Sequence, residues 1–220
     1  MDIGSRDGSD ALNFKKFNPN AEIIAIEANP ALFEKMSDNQ QLSEHGVKIF
    51  NLAATSTDST APFSIFNEKK GTGSLRKRSD GQLIETINVK TQRVDSLVKD
   101  AQFQKIALWI DVEGNSFEVI EGCEKLMPSV LIVQAEVEAT KLFEDQVTQQ
   151  EIRSRMGANG FIEIEGGVRS GADSGNIIFL RKEIAGKPSF FFRLMAKKMY
   201  FRIAHKLKSI WLLNNTVLKN

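Results

Sequence analysis

An open α/β sheet with mostly parallel strands and helices on both faces is the fold this sequence predicts, and three observations predict it. Apolar runs of strand length alternate with helical patterns over most of the chain. The opening segment Asp2-Ile3-Gly4-Ser5-Arg6-Asp7-Gly8 sets two glycines four apart between an apolar start and a helical pattern, as where a strand turns tightly into a helix. About twenty residues later the apolar run Ile23-Ile24-Ala25-Ile26 closes on Glu27, an acidic residue placed at a strand end to accept hydrogen bonds from ribose hydroxyls.

Each element follows in order. Leu12, Phe14 and Phe17 mark a first helix, and Ala21 to Ala28 a buried strand. Asn29-Pro30 starts a second helix carrying Leu32, Phe33 and Met36, and Val47 to Ala53 reads as the next strand. From Thr55 to Arg93 the alternation breaks. Ala61 to Phe66 and Ile84 to Val94 have β character, and the polar stretch between them, with Gly71-Thr72-Gly73-Ser74 and Arg76-Lys77-Arg78, reads as the loop of a hairpin-like excursion whose basic triplet is a solvated charge cluster, attraction of an anionic substrate being the alternative. Alternation resumes with strand Ile106 to Val112, helix Ser116 to Met127, strand Val130 to Val137 and helix Val147 to Met156. Phe161 to Ile164 and Asn176 to Leu180 are the last two strands.

Composition narrows the function classes. With 220 residues, 41% hydrophobic and 26% charged, the chain suits one folded α/β domain with a short appendage. Its one cysteine, Cys123, cannot form an internal disulfide and sits in a helical apolar pattern, so it reads as a buried core residue. Two histidines, His45 and His205, give little support to a nucleophile–histidine triad, and no Cys/His cluster has zinc-ligand spacing. No cleavable signal peptide is evident, and no apolar run reaches the roughly 18 residues of a membrane span. A reducing, cytoplasmic setting is the expectation.

The glycine spacing bears on the ligand. A dinucleotide-binding loop needs G-x-G-x-x-G, but Arg6 stands two residues after Gly4. A D-x-G-x-x-x-G loop suits a nucleoside ligand with no pyrophosphate to cradle, of which S-adenosyl-L-methionine is the common case. An NAD-type oxidoreductase is the weaker alternative, because Tyr200, the only tyrosine, lies far from the sheet pattern.

On these residues the chain resembles the FkbM-type methyltransferases, a branch of the class I S-adenosylmethionine-dependent enzymes. The likeness is carried by Asp2-Ile3-Gly4 with Gly8, Ile26-Glu27-Ala28-Asn29-Pro30, Asn51-Leu52-Ala53-Ala54, and Ile110-Asp111-Val112-Glu113-Gly114 with Gly122 after it. Val94-Asp95-Ser96-Leu97 and Gln134-Ala135-Glu136 match in position and character, and the resemblance covers about residues 1 to 182. It implies a Rossmann-like sheet of seven strands with the last reversed. Asp2, Gly4, Gly8, Glu27, Asn51 and Ala53 would then be the cofactor residues: Gly4 and Gly8 on the methionine side, Glu27 on the ribose, Asn51 and Ala53 near the adenine. Asp111 and Glu113 would be catalytic, with Asp111 orienting or deprotonating an acceptor hydroxyl; organising the loop at the helix start is the equal alternative for both. Ser74 and Glu136 are weaker candidates for the substrate wall, and no third ligand beside Asp111 and Glu113 stands out for a metal. The acceptor implied is a sugar hydroxyl of a glycan or a related small metabolite.

Two features depart from this pattern. A central first strand would hold several apolar residues before Asp2, where only Met1 stands, so either an upstream segment belongs to the natural protein or the strand is clipped and its ladder weakened. The second is a tail. We divide the chain into a methyltransferase-like domain, residues 1–185, and a basic, aromatic-rich helical segment, residues 186–220. From Lys187 onward there are eight Lys or Arg and no Asp or Glu, leaving 21 basic against 28 acidic residues before it, a formal charge of −7. Its Phe, Trp, Leu and Met residues lie among cations without a clean amphipathic stripe. This composition suits peripheral contact with an anionic membrane, packing on the domain or on a second copy being the plain alternative; nucleic acid is not expected. A non-catalytic module with the same sheet is the rival reading to the enzyme.

Overall fold

The computed structural model describes residues 1–67, 72–168 and 170–186. The tail read above from residue 187 onward, with its membrane contact, lies outside the described residues, as does Gly71. Among the described residues no helix is long and apolar enough to cross a membrane. The chain separates into two compact units, Met1–Leu180 and Arg181–Asn220. Of the second unit the structure describes a helical turn, Lys182–Ala185.

The first unit begins with β1 (Asp2–Ile3), α1 (Ser9–Phe17), β2 (Ile24–Glu27), α2 (Pro30–Ser37), α3 (Gln40–Glu44) and β3 (Lys48–Asn51). An excursion follows: β4 (Ala53–Ala54), β5 (Ser59–Asn67), β6 (Thr72–Ser74) and β7 (Glu85–Gln92). Next come α4 (Val94–Leu97), β8 (Ile106–Ile110), α5 (Ser116–Gly122), a 3-10 turn (Glu124–Ser129) and β9 (Val130–Glu138). The unit closes with α6 (Gln149–Ala158), β10 (Phe161–Gly166) and β11 (Ser174–Arg181).

Seven strands form the main sheet in the order β10-β11-β9-β8-β1-β2-β3, parallel from β3 through β9, with β11 antiparallel to β9. The Rossmann-like α/β expectation is met. The chain runs outward from β1 to β3 on one side and from β8 to β9 on the other, so the topological switch lies between β1 and β8, where open α/β sheets bind ligands. Burial on both faces explains the unbroken apolar runs. Ile24 and Ile26 pack into the larger core with Ile3, Ile110, Val119 and Cys123, while Ile23 and Ala25 point to the opposite face against Leu12, Met36 and Leu42.

The two-residue β1 is paired on both sides, Asp2 with Ala25 and Trp109, Ile3 with Ile26 and Ile110. Flanking backbone extends the ladder: Trp109 N–H donates to the Met1 carbonyl at 2.9 Å and Gly4 N–H to the Ile26 carbonyl at 2.9 Å.

Three elements differ from the sequence reading. The run Val47 to Ala53 is two strands in two sheets: Leu52 N–H still bonds the Glu27 carbonyl, and Thr55 N–H already bonds Gln92 in the second sheet. The excursion is more than a hairpin. It forms a four-stranded sheet, β4-β7-β5-β6, over its own core of Ala53, Phe63, Ile65 and Val89. The helix Ser116 to Met127 breaks at Gly122, and the chain tightens into a 3-10 turn that contains Pro128. Proline disfavours α-conformation in the residue before it and lacks a donor, which explains the tightening. Elsewhere local chemistry acts as expected, as where Asn29 caps α2 by accepting from Ala31 N–H, with Pro30 in the first turn.

Gly122 is where α5 meets the second sheet. A Cβ there would lie 2.1 Å from the Thr55 carbonyl oxygen, and backbone cannot yield as a flexible side chain can. Gly122→Ala is therefore predicted to destabilise the protein by about 1–3 kcal/mol, read from the midpoint of urea denaturation.

Candidate functional site

A cleft of about 220 Å³ opens at the carboxyl ends of β1, β2 and β8. Gly4, Arg6 and Glu27 form one part of its wall, Leu52, Ala53 and Ala54 an apolar part, Thr72 to Leu75 another, and Asp111 to Glu113 the part beside β8. Both halves of the switch point thus contribute to one site.

Glu27 ends β2 almost fully buried. Its carboxylate accepts from Arg6 N–H at 2.8 Å on one oxygen and from Asn29 N–H at 2.7 Å on the other. Burial nevertheless pushes its pKa up to about 7 against the pull of these donors. The loop between β1 and α1 closes under it. Gly4 holds φ 84°, and a Cβ at that position would fall 2.0 Å from the Asp111 carbonyl oxygen, so only glycine lets the β1 and β8 loops meet.

Several residues read from the sequence as cofactor contacts do not reach the cleft wall. Asp2, 1% exposed, accepts from Ser5 Oγ at 2.6 Å and organises the loop from beneath, with burial raising its pKa to about 6. Gly8 is the left-handed residue that starts α1, packed against Leu42. Asn51 donates through Nδ2 to the Glu27 and Ala28 carbonyls at 2.9 and 3.3 Å, bracing the β2–β3 edge. Gly4, Glu27 and Ala53 do line the cleft. Asp2 and Gly8 shape the turn, and Asn51 braces the end of β2 that carries Glu27.

After β8 the chain runs through Asp111-Val112-Glu113-Gly114-Asn115, and four carboxylates gather there. Asp111 and Glu113 face the cleft. Glu136 stands behind them, hydrogen-bonded to the side chains of Asp111 and Ser174, and is not part of the cleft wall. Oxygens of Glu113, Glu136 and Glu138 lie within 4.8 Å of one another. Glu136 and Glu138 are two apart on β9 and so project to the same side, a pattern present in the sequence as Glu136-Val137-Glu138. Burial and crowded like charges favour the protonated form at two members: Glu113 is pushed up to about 7 by burial and by Glu138 and Asp111, and Glu136 is raised by burial and by Asp111 and Glu113.

Two of the three basic residues are not solvated charges, and only Lys77 is exposed. Arg76 donates from Nε to the Gly114 carbonyl at 3.0 Å and to Asn115 Oδ1 at 2.9 Å, from Nη1 to the Glu144 carbonyl at 3.0 Å, and pairs with Glu118 through Nη2. Arg78 lies 5.8 Å from the ring centres of both Phe66 and Phe143. Ser74, in the cleft wall, donates to the Glu113 carbonyl at 2.5 Å and accepts from Arg76 N–H at 3.0 Å. On the other side Glu138 accepts from Gly114 N–H at 2.9 Å and from Gln146 Nε2. The Glu113-Gly114-Asn115 turn is held from two separate segments, Ser74–Arg76 and Glu138. Arg76, Glu138 and Gln146 were not among the sequence candidates, since their partners are 8 to 68 residues away.

The fold and cleft define a nucleoside-binding α/β domain whose ligand meets a set of carboxylates at the switch point. The profile of the methyltransferase FkbM domain matches residues 2–163, and the chain belongs to that family of S-adenosylmethionine-dependent methyltransferases. It is 27% identical over 165 residues to a 2-O-methyltransferase, NoeI, of Sinorhizobium fredii (strain NBRC 101917 / NGR234), covering 67% of this chain and 66% of that protein. A methyltransferase, sdnD, of Sordaria araneosa is 24% identical over 155 residues, covering 57% of this chain and 60% of that protein. The match thus spans a little under two thirds of these relatives' lengths. Among solved structures, magnesium protoporphyrin IX methyltransferase from Synechocystis PCC 6803 with bound S-adenosylmethionine is similar over 82% of this chain and 68% of that one, at 11% identity and a TM-score of 0.46.

The residues present fit this cofactor. A carboxylate has about four lone-pair sites, so Glu27 retains acceptors for a ribose diol after its two backbone bonds. Leu52, Ala53 and Ala54 offer apolar surface for an adenine, and Asp111 and Glu113 set carboxyl oxygens in the part of the wall beside β8, where an acceptor hydroxyl would meet the cofactor.

The raised pKa of Glu27 has a measurable consequence for stability. The folded state holds this proton more tightly than the unfolded chain, whose ordinary value is 4.5, so the stabilisation is complete below about pH 4.5 and is lost as pH rises through about 7. Tm of the ligand-free protein is predicted to fall across this window, by an amount equivalent to about 1–3 kcal/mol. Glu27→Gln flattens that part of the curve.

Proposed function

We propose that this chain is a methyltransferase domain that moves a methyl group from S-adenosylmethionine to an oxygen, on a sugar hydroxyl of a glycan or a related small metabolite. The observation that carries the reading is the meeting, in one cleft, of the Gly4–Glu27 wall with the Asp111–Glu113 loop. An oxygen acceptor is supported by the relative named as a 2-O-methyltransferase.

When bound, the cofactor supplies an electrophilic methyl group on a sulfonium centre. Glu27 would hold the ribose hydroxyls, and the Leu52–Ala54 surface would hold the adenine. Asp111 would accept a hydrogen bond from the acceptor hydroxyl, orient its oxygen in line with the methyl–sulfur bond, and take its proton. Glu136, hydrogen-bonded behind Asp111, would hold that carboxylate in place. Ser74 and Arg76 would fix the Glu113 turn beside the acceptor, and the raised carboxyl of Glu113 would contribute a hydrogen bond to it without adding a full charge near neutral pH.

Titration of S-adenosylmethionine and S-adenosylhomocysteine into the 220-residue chain by calorimetry is predicted to give micromolar binding that Glu27→Ala weakens at least about tenfold, the loss of charge-assisted hydrogen bonds. Absence of binding by either ligand refutes the cofactor reading. With neutral sugars offered as acceptors and S-adenosylhomocysteine release as the readout, Asp111→Asn is predicted to slow transfer by about 10²–10⁴ with cofactor affinity retained. An unchanged rate removes Asp111 from the proton-transfer role.

A further inference from the structure

The loop between β1 and α1 carries three residues in the left-handed backbone region: Gly4 at φ 84°, Arg6 at φ 59° and Gly8 at φ 77°. Glycine takes this conformation freely, but arginine rarely does. A non-glycine residue persists there where its surroundings over-determine it, and such residues concentrate at ligand sites. Arg6 is held on both sides: its N–H donates to Glu27 Oε2 at 2.8 Å, and Gly8 N–H closes onto the Ser5 carbonyl at 3.0 Å. This fixed backbone places an exposed Arg6 side chain in the cleft wall beside Gly4 and Glu27.

Among the described residues lining the cleft, Arg6 is the only lysine or arginine. Arg76, Arg78, Arg93 and Arg153 all have carboxylate partners. The Arg6 guanidinium has no salt bridge or hydrogen bond among the described residues. Its charged neighbour Asp7 uses a carboxylate oxygen to accept from Ser9 N–H at 3.0 Å.

The charges of the ligand and of the cleft then match in only one way. S-adenosylmethionine carries one anion, its α-carboxylate, and two cationic centres, the sulfonium and the α-ammonium; its ribose and adenine are neutral. The cleft presents three carboxylates, Glu27, Asp111 and Glu113, and one guanidinium. We infer that Arg6 binds the α-carboxylate of the cofactor, whose planar, two-oxygen shape fits the guanidinium fork. The inference rests on the cofactor reading above and adds a residue to it. Arg6 both closes the loop on Glu27 through its backbone and selects an amino-acid-bearing nucleoside through its side chain.

The test compares S-adenosylmethionine with its decarboxylated form, which differs only in the missing carboxylate, by calorimetry on the full chain. Wild type is expected to bind S-adenosylmethionine about ten- to a hundredfold more tightly than the decarboxylated ligand. Arg6→Asn tolerates left-handed backbone and removes the charge, so it should erase that preference while leaving affinity for the decarboxylated ligand within about threefold. Arg6→Lys should keep part of the preference. Equal binding of the two ligands by wild type overturns the inference, and so does an Arg6→Asn variant that weakens both alike. If wild type binds neither ligand, the cofactor reading fails and this inference falls with it, an outcome visible in the wild-type titrations alone.

Discussion

The site depends on one close approach, between Gly4 and the carbonyl of Asp111. No side chain fits between them, since even a Cβ would sit 2.0 Å from that oxygen. Because the two backbones touch, the loop that begins α1 and the loop that follows β8 share a wall, and a ligand lying on the first meets the carboxylates of the second. The short β1 makes this contact rigid. Its two residues are paired to β2 and β8, and Asp111 N–H itself donates to the Ile3 carbonyl at 2.9 Å. Strand pairing and loop contact are thus continuous through residues 3, 4 and 111.

Around that junction the protein gathers four carboxyl groups. Asp111, Glu113, Glu136 and Glu138 occupy adjacent strand ends; burial raises the pKa of Glu113, Glu136 and Glu138, and repulsion from neighbouring carboxylates adds to it at Glu113 and Glu136. Such a cluster is unfavourable for folding and persists because hydrogen bonds anchor its members: Glu138 to Gly114 and Gln146, Glu136 to Ser174, and the turn backbone to Ser74 and Arg76. A low-dielectric pocket of carboxylates complements a cation and a proton donor better than an anion. That preference agrees with the proposed transfer from a sulfonium to a hydroxyl.

The second sheet has a function in this arrangement beyond covering the core. Its β6 strand brings Ser74 into the cleft wall, and Arg76, just past it, joins the turn after β8 to α5 and to the segment after β9. Nothing in the local sequence announces this. Arg76-Lys77-Arg78 reads as surface charge because a run of cations in a polar stretch is normally solvated, and only the fold supplies the carbonyls and the Glu118 carboxylate that Arg76 satisfies. The fate of Leu52 is similar. Periodicity shows one apolar run from Val47 to Ala53, while the ladder that each residue joins depends on distant strands, Glu27 for Leu52 and Thr91 for Ala53.

The alternation of strands and helices, the turn at Gly4, the acidic end of β2, the cap of α2 at Asn29 and the carboxylates after β8 are all legible along the chain. These are local properties, governed by side-chain periodicity, backbone conformation and the chemistry of residues a few positions apart. The tertiary structure decided which of them face a ligand. It set Asp2 and Gly8 in support of the loop and Asn51 against the end of β2, placed Glu136 behind Asp111, added Glu138, and turned Arg76 inward and Arg6 to the cleft. The physical reason is that facing a common cavity is set by hydrogen bonds and packing between segments distant in the chain, which no window along the sequence contains.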